Sequence, residues 1–298
     1  MGGGTYLLEL LSQKSVISLN GRYWGLGNRI RVVLGAKMLA DSEGRNFYYV
    51  WPTGSKFGPK LTDLWHFDGK PINQYLSKAL SVKYPYLDES LDWLDESRRN
   101  SRIWQIRTGH ALHLPSGVRS WQQEFRSLQP VDEVIDRVQG CFGSELAERP
   151  YVGVMIRAHS AAHTKTIEHS PIEWYTDRMR AIRRSNPGVQ FFVSCDVPEV
   201  ATRVSDELGG CHFLTNKGEY NTVSGVQSAV ADLYLLASSS YLLGPHYSSF
   251  VELAQYLAGP GLLLETSMKT IDAPFELNTL GQPTDPLRPQ TRKPLPGS

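Results

Sequence analysis

Arg157 stands at the end of an apolar run, residues 151–156, that has the composition of a buried strand. An arginine side chain offers a planar fork of donors that matches phosphate oxygens, and it keeps its charge. Ligands of parallel α/β sheets bind at the carboxyl ends of strands, which favours an anion-binding role for this residue. A structural ion pair is the alternative, and the residue type alone does not decide between the two.

A second candidate is the turn 246–250, His-Tyr-Ser-Ser-Phe, between a predicted strand that ends at Gly244 and a predicted helix. Free backbone N–H groups, two hydroxyls and the positive end of a helix together form an anion site. Ser248 and Ser249 have a structural alternative, because serines are also common helix caps. In the preceding helix Asp232 interrupts an apolar surface, and it is either a solvated residue or an acceptor for a nucleobase.

The segment 25–31, Gly-Leu-Gly-Asn-Arg-Ile-Arg, follows the first predicted strand. Its glycines permit close approach of the backbone to a ligand. The segment lacks the third glycine of a dinucleotide-binding fingerprint and the Gly-Lys-Ser/Thr of a P-loop. By itself it indicates a close backbone contact without naming the ligand.

Motifs for metal-dependent or hydrolytic chemistry are missing from the sequence. It has no Asp-x-Asp pair of the kind that holds a divalent cation on a diphosphate, no Gly-x-Ser-x-Gly and no His-Glu-x-x-His. His159, His163 and His169 have a spacing that suits no standard zinc site. We therefore expect no metal and no cofactor.

The elements that position these residues alternate between strand and helix. In the first half a strand at 16–19, a loop at 20–27 and a helix with Ile30, Val33, Leu34 and Met38 on one face lead to a strand at 47–51. In the second half we predict strands at 151–157, 189–195, 211–214, 241–243 and 262–265, with helices from about 170, 198, 225 and 248 between them. Ser170 is predicted to cap the first of these helices. This alternation predicts a parallel sheet with helices on both faces.

The order of elements predicts an α/β protein of two halves that face each other across a cleft. We expect an amino-terminal half at 1–140, which would form the acceptor side, and a carboxyl-terminal Rossmann-like half at 141–270. Residues 53–125 give no clear pattern. Residues 271–298 are rich in proline and are predicted to form a tail or strap.

Composition narrows the class of partner. The 298 residues include 31 Lys plus Arg against 30 Asp plus Glu, for a net charge of +1. This balance gives no electrostatic reason to expect nucleic acid or an anionic membrane as a partner. Three cysteines are too few for a disulfide framework, and no apolar run reaches the roughly 18 residues of a membrane span. We expect a cytoplasmic protein with no membrane span.

Seven segments together resemble the fucosyltransferase-like glycosyltransferases, the group of the α1,6-fucosyltransferases with NodZ and the protein O-fucosyltransferases. The segments are Gly-Leu-Gly-Asn-Arg-Ile-Arg at 25–31, Phe-Tyr-Tyr-Val-Trp-Pro at 47–52, Val-Gly-Val-Met-Ile-Arg at 152–157, Ser-Pro-Ile-Glu-Trp-Tyr at 170–175, Phe-Phe-Val-Ser-Cys-Asp at 191–196, Ala-Asp-Leu-Tyr-Leu-Leu at 231–236 and Leu-Leu-Gly-Pro-His-Tyr-Ser-Ser-Phe at 242–250. Their order and spacing match over roughly 16–52 and 150–260.

The resemblance implies a GT-B-type fold, transfer of a sugar (fucose first) from a GDP-sugar to a hydroxyl acceptor, inversion at the anomeric carbon and no required metal. It implies that Arg157 holds the β-phosphate with Ser248 and Ser249 beside it, and that Asp232 faces the guanine. The donor-binding residues that it implies are Gly25, Gly27, Asn28, Arg29, Arg157, Asp196, Asp232, Ser248, Ser249 and Phe250. The acceptor is a glycan, a peptide or a small molecule.

The chain departs from the family pattern at two places. Met155 stands where the family has a histidine that helps to hold the guanosine, and Ala158-His159-Ser160 replace the family's Arg-Thr-Asp-Lys loop, which precedes a catalytic carboxylate. Glu168 and His159 are the two candidates for the catalytic base. Two other interpretations stay open: a transferase for a different nucleotide sugar, and a protein of the same fold that binds a nucleotide or glycan without catalysis.

Overall fold

The computed structural model describes residues 3–147, 149–159, 164–270 and 283–291. The chain divides into two compact units between Gln129 and Pro130. Each unit is built on its own five-stranded sheet.

The first unit begins with a parallel α/β arrangement. Its elements are α1 (Gly3–Ser12), β1 (Ser15–Leu19), α2 (Leu26–Ser42), β2 (Asn46–Val50), β3 (Trp65–His66), β4 (Lys70–Pro71), α3 (Gln74–Leu80), β5 (Tyr86–Leu87), α4 (Glu96–Arg99), β6 (Ile103–Arg107) and α5 (Trp121–Ser127), with β7 (Gln129–Pro130) at the boundary. The sheet has the order β4-β2-β1-β6-β5, and its strands are parallel. The predicted β1, α2 and β2 are confirmed to within one or two residues.

Two features of the first unit differ from the pattern in the sequence. The apolar surface of α2 extends beyond the predicted face, because Val32, Ala36 and Leu39 are also fully buried. The region without a clear pattern contains β6, which lies beside β1 in the middle of the sheet. Gln105 interrupts the apolar run of β6, and its buried amide is satisfied by Ser77 Oγ and the carbonyl oxygen of Tyr84 at 2.6 and 2.7 Å. Those partners come from distant segments, so the residues next to Gln105 in the sequence do not indicate that it belongs to a buried strand.

The second unit is a more regular alternation. Its elements are α6 (Asp132–Cys141, continued by a π-helical turn at Phe142–Leu146), β8 (Tyr151–Ile156), α7 (Thr164–His169), α8 (Ile172–Ser185), β9 (Gln190–Cys195), α9 (Pro198–Leu208), β10 (Cys211–His212), α10 (Val223–Ser238), β11 (Tyr241–Gly244), α11 (Ser249–Ala258) and β12 (Leu264–Thr266). The sheet has the order β10-β9-β8-β11-β12 with parallel pairing throughout. The predicted parallel sheet with intervening helices is confirmed.

Apolar side chains of α8 and α9 cover one face of this sheet. Tyr175 and Met179 of α8 and Val204 of α9 are fully buried against the apolar residues of β8 and β9. These positions follow the helical spacing in the sequence, and burying them removes a large apolar area from water. The packing fixes where β8 and β9 end, and therefore where the residues after them lie.

The boundary between the units lies before the expected residue 140, because α6 packs on α10. Arg137 of α6 donates to the carbonyl oxygen of Asn216 and to Ser224 Oγ, which tie the helix to the second unit. Of the expected tail at 271–298, residues 283–291 are described: Thr284 N–H donates to the carbonyl oxygen of Ser238 at 3.2 Å. Residues 271–282 and 292–298 lie outside the described residues. Within the described parts of the chain, no helix combines the length and the apolar character that crossing a membrane requires.

Candidate functional site

The carboxyl ends of β9, β8 and β11 form one edge of the second sheet, and these strands are immediate neighbours. Ile156 pairs with Cys195, and Val154 pairs with Leu243. Parallel neighbours lie ~4.8 Å apart, so the residues that follow these strands emerge side by side. The fold thus brings Arg157, Asp196 and the turn 246–250 to one edge, as the sequence predicted for an α/β sheet.

Arg157 forms an ion pair with Asp196, with 3.3 Å between guanidinium and carboxylate. The other carboxylate oxygen of Asp196 accepts from the backbone N–H groups of Ala158 and His159 at 2.7 and 3.1 Å. The Arg157 side chain remains 27% exposed, whereas that of Asp196 is 9% exposed. Asp196 therefore holds the turn after β8 and orients Arg157, and part of the guanidinium still faces solvent. The structural ion pair exists, and it leaves surface for an anion.

The turn after β11 leads directly into α11. Gly244 allows α11 to approach the end of β11 closely, because a Cβ at this position would lie 2.3 Å from the Val251 side chain of α11. Ser248 is the residue before the helix, yet its hydroxyl makes no capping hydrogen bond, so this structure gives no support to the purely structural alternative. Ser248, Ser249 and Phe250 are all half-buried at the positive end of a ten-residue helix. Backbone N–H groups at such an end attract anions.

Asp232 lies on α10 and is 3% exposed, so its interpretation as a solvated helix residue is wrong. One carboxylate oxygen accepts from Lys217 Nζ at 2.6 Å and from Ser194 Oγ at 2.8 Å, while the other has no hydrogen-bond partner. Burial raises the pKa of Asp232, and the charge and hydrogen bonds of Lys217 and Ser194 oppose that shift. Lys217 also donates to the carbonyl oxygen of Cys195 at 3.4 Å, which places the pair beneath the end of β9.

Sequence reasoning missed Lys217. It lies in the polar segment 215–222, which has no helical or strand periodicity. A buried acid on a predicted apolar helix requires a cation or donors nearby, and that requirement is the one signal that could have directed attention to a lysine.

The two candidates for the catalytic base occupy different surroundings. His159 stacks on Tyr220 with 4.3 Å between ring centroids and 9° between ring planes. Glu168 is exposed on α7, the helix that follows β8 along the chain. Both belong to the connection after β8. His163, the middle histidine of the predicted cluster, lies outside the described residues.

In the first unit, the segment 25–31 forms the start of α2. Gly25 is the residue before the helix, and a Cβ there would meet nothing within 4 Å, so packing within the chain does not require this glycine. Gly27 is buried and Asn28 half-buried in the first turn. All three lie after the carboxyl end of β1, where a ligand of this sheet would bind.

Arg29 does not lie where the resemblance implied. Its side chain is fully buried, and the guanidinium donates to the carbonyl oxygens of residues 22, 24 and 52 at 2.8–3.2 Å. The rings of Trp51 and Phe57 lie 5.2 and 4.2 Å from its central carbon. Burial lowers the pKa of Arg29 to about 10. The expectation that Arg29 contacts the nucleotide sugar is corrected. Its guanidinium N–H groups instead hold the loops after β1 and β2.

Comparison with solved structures places the fold. NodZ α1,6-fucosyltransferase co-crystallised with GDP aligns with a TM-score of 0.57 at 16% identity, over 82% of this chain and 92% of that chain. An Arabidopsis thaliana FUT1 mutant in complex with GDP aligns with a TM-score of 0.60 at 15% identity, over 89% and 74% of the two chains. POFUT1 in complex with GDP-fucose aligns with a TM-score of 0.53 at 11% identity, over 84% and 97%.

At these identities the likeness is one of fold. The expectation of an α/β, GT-B-like fold of the fucosyltransferase type is confirmed by it. No protein-family model and no curated protein matches the sequence.

Proposed function

We propose that this protein is a glycosyltransferase that transfers fucose from GDP-fucose to a hydroxyl group of an acceptor. The observation that carries the proposal is the convergence of Arg157, Asp196 and the Ser248–Ser249 turn at one sheet edge. Support comes from the fold, which is shared with solved fucosyltransferases whose structures contain GDP or GDP-fucose. The acceptor is a glycan, a peptide or a small molecule.

In this proposal the groups at the sheet edge stabilise the leaving group. The acceptor oxygen forms a bond to the anomeric carbon while the bond from that carbon to the β-phosphate oxygen breaks, and GDP leaves with the electron pair. Arg157 and the N–H groups at the start of α11 oppose the charge that develops on the β-phosphate. Asp196 holds the guanidinium in place before the charge develops, so little reorganisation is needed.

The acceptor proton passes to a base on the connection after β8. Glu168 and His159 are the candidates, and either side chain could reach an acceptor oxygen that approaches this edge. A single displacement of this kind inverts the anomeric carbon, and with Arg157 and the helix end as counter-charges the proposal requires no metal. Substituting each residue separately identifies the base: the essential one loses turnover while GDP affinity stays within about twofold of the wild type.

Asp232 is proposed to lie towards the nucleobase, with guanine as the first choice. Its partner Lys217 widens the range of bases that this position can recognise, since a carboxylate paired with an ammonium presents both a hydrogen-bond acceptor and a donor. Met155, which replaces the family histidine, is 3% exposed and contributes no polar group. Another nucleotide base is therefore the competing choice for the donor.

Calorimetry with GDP, UDP, dTDP and ADP tests the nucleotide, and a GDP-fucose hydrolysis assay without acceptor tests bond breaking. We expect GDP to bind at least tenfold more tightly than the others, and slow release of fucose from GDP-fucose. Preference for another base would redirect the donor assignment. Absence of binding by any nucleoside diphosphate would remove the proposal.

A second candidate function is binding without transfer. Two departures from the family pattern favour it: Met155 is buried where the family has a histidine, and Ala158-His159-Ser160 replace the family's loop before the catalytic carboxylate. Tight GDP binding together with neither hydrolysis of GDP-fucose nor transfer to any acceptor would identify this function.

A further inference from the structure

Tyr247 has an unusual backbone and an exposed ring. Its φ angle is +60°, in the left-handed region that residues other than glycine rarely adopt, and the residue is 59% exposed. Strained residues of this kind persist where the surrounding structure holds them, and they are concentrated at functional sites. A large exposed ring that is held in a strained conformation calls for an explanation that packing does not supply.

The surrounding connections hold this residue from both sides. The Tyr247 carbonyl oxygen lies 3.4 Å from Thr166 Oγ1 of α7, and the preceding N–H group, of His246, donates to Ser170 Oγ at 2.9 Å. The Ser170 hydroxyl also contacts Ser267 Oγ at 2.9 Å. Ser170 is 3% exposed and is a buried junction between the connections that follow β8, β11 and β12. The backbone of the turn at Tyr247 is therefore held by the connection that follows β8, which is itself joined to the connection after β12.

Nitrogen-bearing side chains surround the ring. The centroids of His246 and His169 lie 3.9 and 6.0 Å from that of Tyr247, and the two histidine rings lie 5.9 Å apart, edge to face. Lys165 Nζ lies 5.7 Å from the centroid of the Tyr247 ring. We name Tyr247, His169, His246 and Lys165 the Tyr247 platform. It combines an exposed aromatic ring with hydrogen-bond donors around it.

We propose that the Tyr247 platform binds a neutral pyranose ring of the acceptor. The C–H face of a pyranose is apolar and packs on an aromatic ring, while its equatorial hydroxyls point outwards and need donors and acceptors. Lys165 supplies donors, and the two imidazoles each supply a donor and an acceptor when neutral. The inference rests on the proposed function and deepens it by naming the chemical class of the acceptor.

The location of the platform agrees with this role. Tyr247 immediately precedes Ser248 and Ser249, so a ring bound on it lies next to the proposed phosphate position. Glu168, a candidate base, is adjacent to His169 on α7. A hydroxyl of the bound pyranose would then have a leaving group and a carboxylate within the same neighbourhood.

The substitutions Tyr247→Gly and Tyr247→Phe form a matched pair for the test. Glycine removes the ring and also relieves the left-handed backbone, so the fold is expected to survive with little change in thermal midpoint. Phenylalanine keeps the ring and removes only the hydroxyl. Tyr75→Ala removes a ring that is 71% exposed on α3 of the first unit, and it serves as the control for general loss of an exposed aromatic side chain.

The first measurement is the affinity for GDP by calorimetry, and the second is saturation-transfer NMR with GDP present. The NMR probes are the methyl pyranosides of glucose, galactose, mannose and N-acetylglucosamine. We expect at least one pyranoside to bind the wild type, Tyr247→Phe and Tyr75→Ala, and to bind Tyr247→Gly about tenfold more weakly. GDP affinity is expected to stay within about twofold of the wild type in Tyr247→Phe and Tyr75→Ala, which keep the backbone of the turn 246–250 unchanged.

Other results would contradict either the role of the Tyr247 platform or the proposed function. Equal pyranoside binding by Tyr247→Gly, or no binding of any pyranoside by the wild type, overturns the inference. A tenfold loss of GDP affinity in Tyr247→Phe also overturns it, because the Tyr247 side chain would then serve the nucleotide. Failure of the wild type to bind any nucleoside diphosphate is a different result, and it removes the proposed function itself.

Discussion

At the scale of single residues, Arg157 is the side chain on which the proposed chemistry depends. Its carboxylate partner Asp196 is held by two backbone N–H groups, so the turn after β8 does not need the arginine to keep its shape. Removing the guanidinium should therefore affect the reaction far more than the fold.

We predict that Arg157→Ala lowers kcat for transfer or for hydrolysis of GDP-fucose by about 10²–10³, the usual effect of losing one preorganised donor. Arg157→Lys should recover only part of this loss, because an ammonium lacks the planar fork. Arg180→Ala, which removes an exposed arginine on α8, is the control. Wild-type turnover in Arg157→Ala would remove this residue from the mechanism.

The Lys217–Asp232 pair allows a second prediction at this scale. Lys217→Met leaves a buried carboxylate without its cation, and we expect a loss of about 3 kcal/mol in the free energy of unfolding. Adding Asp232→Asn removes the uncompensated charge and should restore most of that loss. Chemical denaturation of the two single variants and the double variant measures the coupling. Additive effects would show that the two side chains do not depend on each other.

At the scale of elements, Arg29 connects two loops of the first unit through its buried guanidinium. Arg29→Met would leave three carbonyl oxygens without this donor, and we predict a loss of about 3 kcal/mol in the stability of the first unit. Arg22→Met, which changes an exposed arginine in the same loop, should cost less than about 0.5 kcal/mol. The urea midpoint monitored by tryptophan fluorescence checks both values. Equal midpoints for the two variants would contradict the role of Arg29 as a clamp.

Ser170 has the corresponding role in the second unit. Ser170→Ala leaves the part-buried N–H of His246 without its acceptor, whereas Ser267→Ala removes only the contact between the two hydroxyls. We expect Ser170→Ala to cost about 1–2 kcal/mol and Ser267→Ala less than half of that. Thermal midpoints measure the difference. If Ser267→Ala costs as much, the bond to His246 is not what holds the turn.

At the scale of the whole molecule, the residues proposed to hold the diphosphate and the base of the nucleotide belong to the second unit. GDP that binds only the folded state stabilises it by ~2.7 kcal/mol at a concentration 100 times its Kd. In hydrogen exchange of the full chain, we expect added protection at 157–159 and 245–250. Protection confined to other segments would show that GDP binds elsewhere.

Much of the fold was predictable from local signals. The helix Pro198–Leu208 agrees with its predicted bounds, because Pro198 favours the first turn and Gly209, with a φ of +66°, ends the helix. The strands at 151 and 241 are continuous apolar runs, and the strand at 190 contains the run Phe191–Val193. Such runs indicate strands that are buried on both faces. Placing Arg157, Asp196 and Ser248 at one edge then required only the rule for parallel sheets.

Other features depended on contacts between distant segments. Ser170 was expected to cap a helix, yet its hydroxyl joins three connections and Pro171 precedes the helix instead. The central position of β6, the burial of Arg29 and the pairing of Asp232 with Lys217 have the same origin. The sequence alone determined which residues end the strands, because hydrophobic periodicity and helix termini are local. Only the tertiary structure decided which polar groups are buried with hydrogen-bond partners inside the protein, since a buried donor or acceptor pairs with the group that the fold places beside it.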